Sequence, residues 1–145
     1  MKSVLCLCAL VTGLLTPSFA HHMAVVVNKN NKMQNLSSVQ ISKIFRAETK
    51  KWPDGKDIML IFHKSSPDEN LTIEKLTKMT SAELQSFLVS HKDSIRIVES
   101  DADVLDSVAA IPGAVGFVYE RAIDDRINVV KIDGKLPMEA GYLSH

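Results

Sequence analysis

Histidines, carboxylates and serines are the residues of this 145-residue chain best suited to acid–base, metal or nucleophilic chemistry. His21-His22-Met23 follows directly on Ala20. If the chain is cut there, a free α-amine and two imidazoles come together in a pattern that copper or nickel can accept. No third side-chain ligand can be placed and terminal residues are commonly unstructured, so a solvated tail is expected and no metal site. Glu99-Ser100-Asp101 and Asp103 concentrate carboxylates, but at the start of a helix their capping role accounts for them. His63, His91 and His145 show no spacing that pairs a base with a nucleophilic serine. No Gly-x-Ser-x-Gly elbow occurs, and no glycine-rich phosphate loop. Neither an enzyme nor a cofactor is expected.

Residues 1–20 read as a secretory leader: Lys2, an apolar stretch from Val4 to Leu15, and small residues before a cut after Ala20. The stretch is short for a permanent membrane span, and nothing later approaches the required length. Cys6 and Cys8 follow leucines, where lipid attachment wants a small residue. Both leave with the leader, so residues 21–145 have no disulfide and no thiolate, and must fold around an apolar core. The 125 residues left of 145 suit one domain. Losing Lys2 takes the formal charge from zero (17 minus 17) to −1 (16 minus 17). That balance points away from nucleic acid, and the expected location is periplasmic or secreted.

The elements that must position any chemistry follow from period and capping. Ala24 to Val27 reads as a buried strand, ended by the polar cluster Asn28–Lys32. Ser37 and Gln40 form a capping box, with Leu36 and Ile41 as its hydrophobic staple and Ile41, Ile44 and Phe45 as the apolar face of a first helix. Trp52-Pro53-Asp54-Gly55 predicts a turn, and Ile58 to Phe62 a second strand. Ser66, with Pro67 at the first helical position and Glu69 closing the box, opens a second helix with Leu71, Ile73 and Leu76 inward. Thr80 and Glu83 repeat the device for a third helix, with Met79 and Leu84 as staple and Leu84, Phe87 and Leu88 as its stripe. Ile95 to Val98 is a third strand. Ser100 caps a fourth helix facing inward through Val104, Leu105, Val108 and Ala109. Pro112-Gly113 ends that helix, Gly113 permitting the turn, and Val115 to Tyr119 and Ile127 to Ile132 close the chain as two strands. The tail from Asp133 onward is expected to be loosely attached. Strands alternating with helices imply a three-layer α/β domain whose mainly parallel sheet is covered on both faces.

Several stretches, in this order, resemble the phosphate-type substrate-binding proteins of ABC transporters, especially their short single-lobe relatives. They are Val25-Val26-Val27-Asn28, Leu36-Ser37 through Ile44-Phe45, Trp52-Pro53-Asp54-Gly55-Lys56, Leu76 through Leu84, and Val108-Ala109-Ala110-Ile111-Pro112-Gly113-Ala114-Val115-Gly116-Phe117-Val118. The resemblance implies one lobe of a type II periplasmic binding protein, in which an oxyanion is gripped between two lobes by hydroxyls, helix-end N–H groups and a basic residue. It places a binding loop after the second strand, where His63, Lys64, Ser65 and Ser66 offer a titratable donor, a cation and two hydroxyls. Asn28, with Asn30 and Asn31, would add amide donors beside it. The arginine and the Ser-Gly-Thr turn of full-length phosphate binders are absent from this loop. Pro67 has no N–H, and Asp68 and Glu69 put negative charge where an anion would sit.

Two functions follow from the resemblance. The first is an exported solute-binding lobe for phosphate or a similar small oxyanion, its half-cleft completed by a homodimer or another protein. The alternative is a ligand-free interaction or sensing module that docks on a membrane transporter, a sensor protein or another subunit.

Overall fold

The computed structural model describes residues 22–143. The expected leader, with Cys6, Cys8 and His21, and the final residue His145 lie outside the described residues. Strand β1 (Met23–Asn28) is buried at every position. A short β2 (Asn35–Leu36) leads into α1 (Ser38–Phe45). The capping box forms as expected: Ser37 Oγ accepts from the Gln40 N–H at 3.1 Å, and Gln40 Oε1 accepts from the Ser37 N–H at 2.8 Å. Next come β3 (Met59–His63), α2 (Pro67–Thr77), α3 (Ser81–Ser90) and β4 (Ile95–Val98). The chain ends with α4 (Asp101–Ala110), β5 (Ala114–Tyr119), β6 (Ile127–Val129) and β7 (Lys131–Ile132).

Five strands form one sheet in the order β4-β3-β5-β1-β6. β3 runs parallel to β4 and β5, whereas β1 runs antiparallel to β5 and β6. Four strands therefore share one direction and β1 alone opposes them. Side chains alternate across the sheet. Val25, Val27, Leu60, Phe62, Val115 and Phe117 face a cluster built with Ile41, Phe45, Ile73, Leu84 and Phe87 of α1–α3. Ala24, Val26, Ile61, Ala114 and Val118 face Val104, Leu105 and Val108 of α4. With both faces covered, the strands can be apolar at consecutive positions, which is why they appear in the sequence as runs rather than as alternation. The Phe45 ring lies 4.7 Å from Phe117 and 6.0 Å from Phe62 at the centre of the larger cluster. No helix among the described residues is long and apolar enough to cross a membrane.

Three local expectations are corrected, and one, the turn at Pro112-Gly113, is refined. Leu71, expected on the inner side of α2, is exposed, and Ile73 and Leu76 carry that face. The Ile127–Ile132 run breaks at Val130, whose N–H bonds the Val25 carbonyl at 2.9 Å. β6 thereby joins the main sheet, while β7 pairs with β2 in a separate two-stranded ribbon. Gly113 does not adopt a positive φ. Its role is close approach, since a Cβ there would lie 1.8 Å from the Asp57 carbonyl oxygen. The Gly113 carbonyl in turn accepts from the Met59 N–H (3.0 Å) and from the buried Trp52 indole N–H (2.9 Å). The tail is not loose: Tyr142 is buried, donates its hydroxyl to the Val130 carbonyl (2.5 Å) and accepts from the Val25 N–H (3.1 Å). Loss of water around that phenol pushes its pKa up to about 12.

Candidate ligand-binding edge

In an open α/β sheet, the loops leaving the carboxyl ends of parallel strands converge on one edge. Here that edge is where β3 and β4 run out into α2 and α4, with Tyr119 at the end of β5 beside them. Ser66 caps α2 by accepting from the Glu69 N–H at 3.2 Å, and Ser100 caps α4 by accepting from the Asp103 N–H at 3.1 Å. The side chain between the two helix starts is His63. Its Nδ1 lies 3.1 Å from Asp101 Oδ1 of α4, and its backbone N–H donates to Glu69 Oε2 of α2 at 2.7 Å. One residue thus ties both helix N-termini to the end of β3.

Glu69 does not close the capping box that its spacing predicts. Its side chain turns inward, is fully buried, and leaves Oε1 without a hydrogen-bond partner. Burial pushes this carboxyl well above the ordinary glutamate range. The His63 N–H opposes that rise, the nearby negative Asp101 adds to it, and the Phe117 N–H opposes it again. Asp101 also accepts from the Tyr119 N–H at 3.4 Å. The Tyr119 hydroxyl donates to Asp68 Oδ2 at 2.5 Å, and this bond, helped by partial burial, raises the phenol's pKa. The Arg121 guanidinium lies over the same ring, 5.0 Å from its centroid.

Of the residues singled out in the sequence, the structure brings His63, Lys64, Ser65 and Ser66 to this edge. Ser66 is buried and engaged in capping. Ser65 is exposed. Lys64 is exposed too, its N–H bonded to the Val98 carbonyl at 2.9 Å, and it lines a groove of about 480 Å³ toward Leu88 and Ile97. Asn28 is not there. Because β1 runs against its neighbours, its last residue lies at the amino edge of the sheet, opposite Ile127. That is the length of the strand, about 17 Å, from the carboxyl edge. The Asn28 side chain is buried in structural duty: Nδ2 donates to the carbonyls of Val108 (2.9 Å) and Ala109 (3.1 Å), and Oδ1 accepts from the Asn30 N–H (2.9 Å). Asn30 and Asn31 go with it.

Asp68, Glu69, Asp101 and Tyr119 complete the edge and were not read as site residues. The available signal was positional. Each stands at a strand end or a helix start on the carboxyl side of a parallel sheet, where side chains from distant segments meet. The resulting chemistry is rich in acceptors. Carboxylates already supply the negative charge that two helix dipoles favour.

No protein-family model matches this sequence. Solved structures similar to it include an ABC-type phosphate transport receptor from Vibrio cholerae, with 21% identity and a TM-score of 0.67 over 81% of this chain and 48% of that one. A phosphate-binding protein from Stenotrophomonas maltophilia aligns with 20% identity and a TM-score of 0.62 over 81% of this chain and 40% of its own. PstS from Borrelia burgdorferi aligns with 15% identity and a TM-score of 0.58 over 81% and 49%. The present chain thus spans less than half the length of each. At these identities the likeness is one of architecture, and the described residues have the fold of one lobe of a phosphate-type periplasmic binding protein.

Proposed function

We propose that this chain is an exported, non-catalytic solute-binding lobe that takes phosphate or a similar small oxyanion at the carboxyl edge of its sheet. The observation that carries the proposal is the convergence of the α2 and α4 N-termini on His63, with Ser65 and Lys64 exposed beside them. The fold likeness to phosphate-binding receptors supports the same assignment. The acceptors Asp68 and Asp101 favour an oxyanion that carries a proton, as phosphate does near neutral pH and sulfate does not. A single lobe forms one wall of a cleft and leaves its ligand half-hydrated. The other wall then comes from a second copy or from a membrane transporter on which the lobe docks.

A second function is favoured by the carboxylates themselves. Asp68, Glu69, Asp101 and Asp103 occupy the first turns of both helices, so the anion's place is filled from within. A lobe of this kind would keep the fold as an interaction or sensing module without ligand.

Calorimetric titration of the purified protein with phosphate, with sulfate as control, separates the two. Saturable heat at micromolar phosphate, absent with sulfate and lost in the double variant Lys64→Met plus Ser65→Ala, supports the binding lobe. These two side chains are exposed, so their loss leaves the Ser66 cap and the fold intact. No heat up to millimolar phosphate overturns the first function and leaves the interaction module.

A further inference from the structure

The last turns of α1 and α2 meet. The Ser42 hydroxyl donates to the Leu76 carbonyl at 3.0 Å, and Arg46 Nη1 donates to the Thr77 carbonyl at 2.8 Å. An open groove of about 460 Å³ runs along this seam, with Val39, Lys43, Arg46, Lys75 and Lys78 on its walls. Its charge departs from that of the whole chain, which balances 17 basic residues against 17 acidic ones. The groove gathers four cations and a single acid, Glu48. Cations at a helix C-terminus have a local reason, because each such end carries about half a negative charge. Two helix ends and Glu48 together offset about two of the four positive charges, and about two remain. Lys43, Lys75 and Lys78 are exposed and have no ion-pair partner among the described residues.

Two of the cations are held in place. Arg46 Nε bonds Glu48 Oε1 at 3.0 Å while Nη1 bonds Thr77, so the guanidinium is fixed across the seam with Nη2 uncommitted. Lys78 caps α2 from the left-handed region, at φ +63°, a backbone that glycine adopts freely and lysine does not. A helix that only had to stop would take glycine there, and the lysine puts a cation on the rim instead. Val39, 63% exposed, adds an apolar spot to the same groove. We propose that the groove docks an acidic segment of a partner protein. Its carboxylates meet Arg46, Lys75 and Lys78, and an apolar side chain among them rests on Val39. A concave groove walled by two helices fits a peptide, whereas a bilayer surface is flat. The groove lies at the far end of α2 from the His63–Ser66 loop, about 16 Å away for a helix of 11 residues. Docking there is independent of any oxyanion at the carboxyl edge.

A fluorescently labelled heptapeptide, glutamates around a central leucine, tests the site by anisotropy with the purified protein. It should bind saturably, more weakly as salt screens the charges, and the glutamine version of the peptide should not bind. Lys75→Glu plus Lys78→Glu, both on exposed side chains, should weaken binding by at least about tenfold. Lys50→Glu plus Lys131→Glu makes the same change of net charge away from the groove and should leave binding within about twofold. Lys78→Gly suits the left-handed backbone, keeps the fold, and should still weaken the peptide about threefold. No binding at millimolar peptide, equal losses in the two double variants, or capture by phosphatidylglycerol vesicles without capture of the peptide would overturn the inference.

Discussion

Glu69 is a buried acid whose surroundings disfavour its charge. Its carboxyl is fully buried, one oxygen has no partner, and Asp101 adds negative charge nearby. With a folded pKa above the unfolded value, the folded state holds a proton that the unfolded chain releases. The stabilisation is complete below the ordinary glutamate pKa of about 4.3 and is lost as pH rises through the folded value. Glu69→Gln keeps an acceptor for the His63 N–H and removes the titration. The variant should match the parent at pH 4 and become the more stable of the two as pH rises. Urea unfolding across that pH range measures this, and parallel pH dependence in both proteins would count against it.

At the scale of elements, the junction between α4 and β5 is the tightest. Pro112-Gly113 was legible in the sequence as a helix stop, and the helix does stop there, but the demand on Gly113 comes from Asp57, far away in the chain. Gly113→Ala drives a methyl into the Asp57 carbonyl and disturbs the bonds to Met59 and Trp52, at a cost of roughly 3 kcal/mol. Gly55 offers the contrast. It sits at φ +86° with nothing within 4 Å of a would-be Cβ, so Gly55→Ala should cost only about 1 kcal/mol, from the left-handed backbone alone. Denaturant midpoints of the two variants give the comparison, and equal losses would contradict the steric account. The helix caps behave differently from this junction because they are local. Ser37, Ser66, Thr80 and Ser100 each accept from the N–H three residues on, and spacing alone was enough to find them.

Across the whole molecule, the two ends of the described chain are locked together. Tyr142 reaches β1 and supplies the acceptor for the Val25 N–H, which β1's other neighbours leave unpaired. Tyr142→Phe keeps the ring and removes that acceptor in the core, and should cost about 1–3 kcal/mol. A variant as stable as the parent in urea would show that the tail is peripheral after all. The same global arrangement explains the polarity of the fold. With β1 as the one reversed strand, the sheet has a carboxyl edge carrying His63, Asp101 and Tyr119 and an amino edge carrying Asn28, Asn31 and Trp52.

Helix starts, buried strands and the apolar faces of Ile41, Phe45, Leu84 and Val104 are set by nearest neighbours and by periods of 3.6 and 2. The sequence therefore determined the order of the four helices and the larger strands and the α/β class, but neither the short β2 nor the break of the last strand at Val130. It could not place Asn28, because an apolar run carries no mark of strand direction and only pairing with β5 and β6 reverses β1. The same holds for Glu69. Its spacing from Ser66 is that of a capping box, yet the Ser66 hydroxyl takes the Glu69 N–H while the unpaired His63 N–H draws the carboxylate inward. Which partner a polar group takes depends on what the completed fold leaves unsatisfied around it, and that is decided by tertiary structure.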